Sequence, residues 1–180
     1  LFSLFLNNDT IHSVFDDICD YEALLKSIEK FKPDLIIHLA AQALVRKGYR
    51  QPRSTFAVNA LGTVNLLEAA RVIDSVKGVV CVTTDKVYEN HEGSRPYRED
   101  DPLGGTDPYS ASKTAAEIAI RSYNTVYSNP TQKGPPIAAI RGGNIVGGGD
   151  WCEDRLIPDF VNAIKNETSL DLRYPHAVRP

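Results

Sequence analysis

An α/β fold built on a parallel sheet is what this sequence predicts, and three observations predict it. Short apolar runs rich in β-branched residues alternate with longer segments whose apolar residues step by three and four. Glycine, proline and charged clusters fall between them. The composition, with 42% hydrophobic and 24% charged residues over 180 positions, suits one sizeable buried core.

Taken in order, residues 11–18 read as a short strand, and residues 21–31 as a helix with Leu24, Leu25 and Ile28 on one face, stopped by Pro33. Residues 35–40 form an apolar run with the look of a strand buried on both faces. A long helix is expected over residues 53–73, with Ala57, Ala60, Val64 and Leu67 as its core stripe. Residues 79–83 are the next strand. Residues 91–106 form a polar loop, too long for a plain connector and of the kind that covers active sites. A helix over 108–127 begins with Pro108 after Asp107 as its cap, which puts Tyr109 in the first turn. A strand at 137–141, a glycine-dense loop at 144–150, a helix at 155–165 and a short strand at 170–173 complete the chain. Strands that alternate with helices imply a parallel sheet covered on both faces.

Charge and cysteine content narrow the class. A net charge of −3 gives no basic stripe for a nucleic-acid backbone, so a small-molecule partner is expected. Cys19, Cys81 and Cys152 are odd in number and lack metal-ligand spacing, and are expected to be reduced, mostly buried thiols of a cytoplasmic protein. No metal is expected. No apolar stretch reaches membrane-spanning length, and a chain without methionine is expected to be an internal piece of a longer one.

The chemistry concentrates in two stretches, residues 82–88 and 107–113. Tyr109 and Lys113, four apart, share a helical face, so the ammonium can favour phenolate at a tyrosine facing the same substrate. Such a pair suits a general base for a substrate hydroxyl. By chance alone the spacing is common on solvated helices; its position after a buried strand gives it weight.

These motifs carry a resemblance. His38-Leu39-Ala40-Ala41-Gln42, Asn59-Ala60-Leu61-Gly62-Thr63, Thr83-Thr84-Asp85, Tyr109-x-x-x-Lys113 and Arg141-Gly142-Gly143-Asn144 stand in the order found in extended short-chain dehydrogenase/reductases acting on nucleotide sugars. Thr84 to Tyr88, Asp107 to Lys113, Gly147 to Trp151 and Pro175 to Pro180 resemble the dehydratase branch acting on CDP-glucose. The resemblance implies a Rossmann-like doubly wound sheet over 1–143 that binds NAD, and over 144–180 the start of a smaller nucleotide-sugar-binding portion. The glycine-rich first turn that holds the pyrophosphate in this family does not occur here, so the sheet is expected to be incomplete at its N-terminus.

The same resemblance implies a reaction and the residues that perform it. NAD takes hydride from C4 of the glucose, water is eliminated across C5 and C6, and the hydride returns to C6, yielding a 4-keto-6-deoxy sugar for lipopolysaccharide precursors. Tyr109 removes the C4 hydroxyl proton, Lys113 lowers its pKa and touches the nicotinamide ribose, and Thr84 holds the C4 oxygen. Asp85 is the acid for the C6 hydroxyl. Lys86 either takes the C5 proton or stabilises the enolate as a cation. Asp17 and Ile18 match the pair that receives adenine, and Ala40, Ala41, Gln42 and Thr83 border the cofactor. Asn144, Arg155 and Arg179 match positions that bind the diphosphate, and a homo-oligomer is implied.

Each assignment has a bland counterpart. Asp85 and Lys86 alone would read as a strand-end ion pair, Asp17 as a turn former, Arg155 and Arg179 as surface charge, and His38 as a satisfied core histidine. Asn59 is expected to brace a strand near the site. An epimerase or a dehydratase for another nucleotide keeps the fold, although C4 epimerisation needs no acid at C6. A catalytically dead NAD-sensing regulator is the alternative of another class, and intact Thr84, Tyr109 and Lys113 argue against it.

Overall fold

The computed structural model describes residues 11–93, 95–129, 131–132 and 134–177. They fall into two compact units, residues 15–143 and residues 11–14 with 144–177. In the first, helix α1 (Tyr21–Phe31) starts where the Asp20 carboxylate accepts from the Ala23 amide at 3.0 Å. It stops at Lys32, whose left-handed φ of 52° lets its amide close on the Ile28 carbonyl. Strand β1 (Leu35–His38), helices α2 (Val45–Arg50) and α3 (Pro52–Phe56), a π turn (Ala57–Leu61) and helix α4 (Gly62–Val72) come next. Strand β2 (Gly78–Val82), a 3-10 turn (Asp85–Val87), helix α5 (Pro108–Tyr127) and strand β3 (Ile137–Ile140) complete this unit.

The sheet is parallel with order β1-β2-β3, Ile36 standing beside Val79 and Val79 beside Ile137. Because successive side chains alternate faces, one face gathers Val79, Cys81 and Ile137 against Ile28 of α1, Leu66, Leu67, Ala69 and Ala70 of α4 and Ile120 of α5. That is the core. On the opposite face Leu35, Ile37 and Ile140 are 55%, 57% and 51% exposed, so burial along β1 alternates instead of being two-sided.

His38 is a buried core residue, as expected. Thr63 donates its one hydroxyl proton to the Asn59 carbonyl at 2.7 Å and sits 3.0 Å from His38 Nε2, so the histidine donates to Thr63. Burial first, and the charge of Lys113 second, hold its pKa down at about 4.

Several sequence expectations are corrected. Residues 11–18 form no strand among the described residues; Ile11, Val14 and Phe15 are exposed, and Asp17 begins a turn by accepting from the Cys19 amide. The helix expected over 53–73 is three pieces, because the π turn widens it at Ala57–Leu61. Helix α2 was not foreseen, having Gly48 inside and no side-chain cap. Residues 170–173 form no strand; among the described residues none pairs with them, and Arg173 is engaged by Asp154 and Asp159. All three cysteines are free, with Cys81 buried, Cys19 half-buried and Cys152 exposed.

The second unit contains helix α6 (Leu156–Lys165), with Arg155 at its N-cap and Pro158 buried. Among the described residues no helix is long and apolar enough to cross a membrane.

Candidate active site

Helix α5 begins at a dense anchor. The Asp107 carboxylate accepts from the amides of Tyr109 and Ser110 at 2.9 and 3.1 Å, satisfying two donors that a helix start leaves open. A Cβ on Gly105 would lie 2.2 Å from the Ser110 carbonyl carbon, so only glycine lets the preceding loop pass so close. On its other side α2 packs in: a Cβ on Gly48 would lie 3.3 Å from the Tyr109 nitrogen. Tyr109 is half-buried.

A buried chain of hydrogen bonds ties that start to Gln42, in the segment that follows β1. Ser112 donates to the Tyr109 carbonyl at 2.7 Å and accepts from the Asn59 side chain at 2.9 Å. Asn59 clamps Gln42 through both backbone groups, accepting from its amide at 2.8 Å and donating to its carbonyl at 3.0 Å. The Gln42 side chain closes on Thr55 at 2.9 Å and on both backbone groups of Leu44. Asn59 therefore braces the segment that follows β1, not the strand the sequence suggested, and Gln42 is a buried linchpin.

Lys113 lies one turn beyond Tyr109 and donates to the Val82 carbonyl, at the carboxyl end of β2, at 3.0 Å. Burial pushes its ammonium below the ordinary lysine range, against the pull of Cys81 and Glu117. The same burial pushes the Cys81 thiol up to about 11.

After β2, Thr83 and Thr84 are buried and Asp85 and Lys86 half-buried. The Thr84 hydroxyl lies 3.1 Å from Asp85 Oδ1, Thr84 caps the 3-10 turn, and the Asp85 amide donates to the Gly142 carbonyl at 2.9 Å. The turn packs against α5, Thr114 donating to the Val87 carbonyl at 3.3 Å. Thus the ends of β2 and β3 and one face of α5 hold Thr84, Asp85, Lys86 and Lys113 in one region.

Similarity to known proteins decides the family. Residues 5–169 match the family described as GDP-mannose 4,6 dehydratase. The chain belongs to the GDP-mannose 4,6-dehydratase family. Over its whole length this dehydratase-family chain is 44% identical to CDP-glucose 4,6-dehydratase of Salmonella typhimurium, of which it covers 51%. It is 36% identical over 121 residues to UDP-glucose 4-epimerase of Mycolicibacterium smegmatis, covering 67% of itself and 38% of that protein. The dTDP-glucose 4,6-dehydratase of Streptomyces venezuelae, solved with NAD bound, superposes with a TM-score of 0.83 at 27% identity over 94% of this chain and 49% of that one. The chain thus spans about half the length, or less, of these relatives.

The other sequence-predicted residues of this family member lie around and beyond that region. Asp17 is exposed at its turn, while Ile18 packs on Gly62, where an added Cβ would approach it to 2.7 Å. Ala40 is exposed and Ala41 half-buried just past β1. Asn144 and Arg155 lie in the second unit, Arg155 pairing with Asp150 at 3.6 Å. Arg179 lies outside the described residues. Sequence reasoning missed Glu117, Arg141 as a side chain, Ser112 and Gly48. Only Glu117 left a signal, standing four past Lys113 and eight past Tyr109 on one helical row.

Proposed function

We propose that this chain is the catalytic and NAD-facing part of a lyase that converts CDP-glucose to CDP-4-keto-6-deoxyglucose and water. The observation that carries the proposal is the Thr84-Asp85-Lys86 turn at the end of β2, packed against the helix bearing Tyr109 and Lys113. The 44% identity to a CDP-glucose 4,6-dehydratase supports the choice of nucleotide.

The residues present fit a nicotinamide cofactor. Small residues at 40 and 41 leave the backbone past β1 approachable, an added Cβ on Gly142 meets nothing within 4 Å, and Lys113 presents a buried ammonium beside the strand end. NAD, when bound, supplies the acceptor for the C4 hydride and the donor that returns it at C6. Ala40, Ala41, Gln42, Thr83, Tyr109 and Lys113 would hold its nicotinamide half, and Asp17 and Ile18 its adenine.

Tyr109 takes the C4 hydroxyl proton while Thr84 donates a hydrogen bond to the same oxygen. With C4 oxidised the C5 proton is acidic. Lys86 takes that proton or, as a cation, stabilises the enolate its loss creates, and Asp85 gives its proton to the C6 oxygen as the C6–O bond breaks and water leaves. Asn144, Arg155 and Arg179 bind the diphosphate, a guanidinium fork matching phosphate oxygens. Residues 1–143 form the cofactor domain and 144–180 belong to the nucleotide-sugar-binding portion. Free cysteines support a cytoplasmic protein, and exposed Leu61 and Ile118 offer apolar surface for a homo-oligomer. Lipopolysaccharide precursor synthesis is the proposed setting.

Incubating the full-length protein with CDP-, dTDP-, UDP- and GDP-glucose tests the reading. The 4-keto-6-deoxy product is expected from CDP-glucose. A C4 epimer, or product from another nucleotide alone, would reassign the substrate or the reaction.

A further inference from the structure

Two ends of the acid-bearing turn converge on one buried ion pair. Glu117 continues the row of Tyr109 and Lys113 on α5, and its side chain is 5% exposed. Arg141, directly after β3, meets it with a planar fork, Nε and Nη2 donating to the two carboxylate oxygens at 2.9 and 2.8 Å. At the start of the turn, the Thr83 hydroxyl donates to the same carboxylate at 2.6 Å. At its end, the Tyr88 ring lies under the guanidinium, 4.7 Å from it. In the middle, the Asp85 amide is held by the carbonyl of Gly142, the residue following Arg141. Nη1 of Arg141 reaches the Glu99 carbonyl at 3.0 Å, so the guanidinium engages three separate segments.

A buried ion pair is close to neutral for stability when compared with apolar residues of the same size. Its use here is geometric. Only an arginine supplies a rigid fork, a flat face for Tyr88 and a further donor at once; a lysine offers a point charge on a flexible stem.

We propose that Arg141, seated on Glu117, is a positioning residue that sets the Thr84-Asp85-Lys86 turn for elimination across C5 and C6. This rests on the dehydratase reading. The base side has its own anchors in Asp107, Ser112 and Asn59, so loosening the ion pair displaces the turn while Tyr109 stays in place. C4 oxidation then loses one hydrogen bond from Thr84, whereas both proton transfers of the elimination lose their geometry.

The test is Arg141→Lys in the full-length protein with CDP-glucose, which keeps the charge and removes the fork. Reduction of the bound cofactor in the first turnover reports C4 oxidation. Solvent deuterium uptake at C5 and formation of the 6-deoxy product report elimination, and amide hydrogen exchange at Asp85 and Tyr88 reports the turn without any substrate. Displacement on the scale of 1 Å is expected to slow elimination by on the order of 10²-fold. Oxidation, which loses only the Thr84 hydrogen bond, is expected to slow by no more than about tenfold, so reduced cofactor accumulates, and the turn amides exchange faster. Tyr88→Leu, which removes the ring under the guanidinium, should give the same pattern in milder form, and decides the matter if Arg141→Lys does not fold. Equal losses in both steps, or unchanged protection of the turn amides, overturn the proposal while leaving the dehydratase reading standing. A parent protein that converts none of the nucleotide glucoses overturns both.

Discussion

The start of α5 and the turn after β2 carry the two halves of the proposed chemistry, and they are held in different ways. At α5 the backbone around Tyr109 is fixed by Asp107, by the loop passing at Gly105, by Gly48 and by the Asn59–Ser112 chain. The turn is short, half-buried at Asp85 and Lys86, and fixed through Thr83, the Asp85 amide and Tyr88. The contrast teaches that the proposed base is built into the core, while the proposed acid is placed by a detachable brace. One half fails by unfolding, the other by drifting.

Tyr109→Phe should break the base side most severely. Loss of a general base costs on the order of 10³-fold in hydride transfer, and the melting temperature should hardly move because only a hydroxyl is removed. A variant that still reduces its bound cofactor on adding CDP-glucose would remove Tyr109 from its role.

The core behind the base should be pH-sensitive. His38 has its folded pKa depressed to about 4 from about 6.5 when unfolded, so its contribution is present above the unfolded value and is lost as pH falls towards 4. The shift corresponds to a loss of about 3 kcal/mol across that window. Denaturant titrations of His38→Gln should show a correspondingly flatter pH profile; equal slopes in both proteins would assign the effect to other groups.

Asn59→Ala should cost about 2 kcal/mol by stranding the Gln42 amide and carbonyl together with Ser112. Chemical denaturation would measure it. Asp107→Ala removes the α5 cap and should cost about 1 kcal/mol, read as a small drop in denaturation midpoint. At the turn, Lys86→Ala should alter stability by less than about 0.5 kcal/mol, as for surface positions away from buried networks, yet slow C5 deuterium exchange if Lys86 is the base. A stability loss as large as that of Asn59→Ala would erase the contrast between the two regions.

Local signals were legible in the sequence and partner-dependent ones were not. Helix α5 could be bounded by reading because its cap, its Pro108 and its periodic apolar residues agree. Residues 11–18 and 170–173 have strand-like composition, but a strand exists only where a neighbour offers a ladder. The α2 helix carries no cap and contains a glycine, so what stabilises it is packing against Tyr109. At the site, Tyr109, Lys113 and the Thr84-Asp85-Lys86 triplet stood out by type and spacing. The Glu117–Arg141 fork joins residues 24 apart in sequence and leaves no periodic trace.

The π turn at Ala57–Leu61 is a phase slip in the helix. In a regular α-helix, steps of four overshoot a full turn by about 40°, so Thr55, Asn59 and Thr63 would fan away from one another. The wider turn takes up part of that rotation; all three polar residues are buried, and Leu66, Leu67 and Ala70 still meet the apolar core downstream. Excising a single residue there would rotate the upstream half by about 100° against the downstream half. Composition and helix content would barely change, yet Asn59 would face away from Gln42. The reading frame of this one helix, more than any side chain's identity, decides whether the segment after β1 is held beside Tyr109.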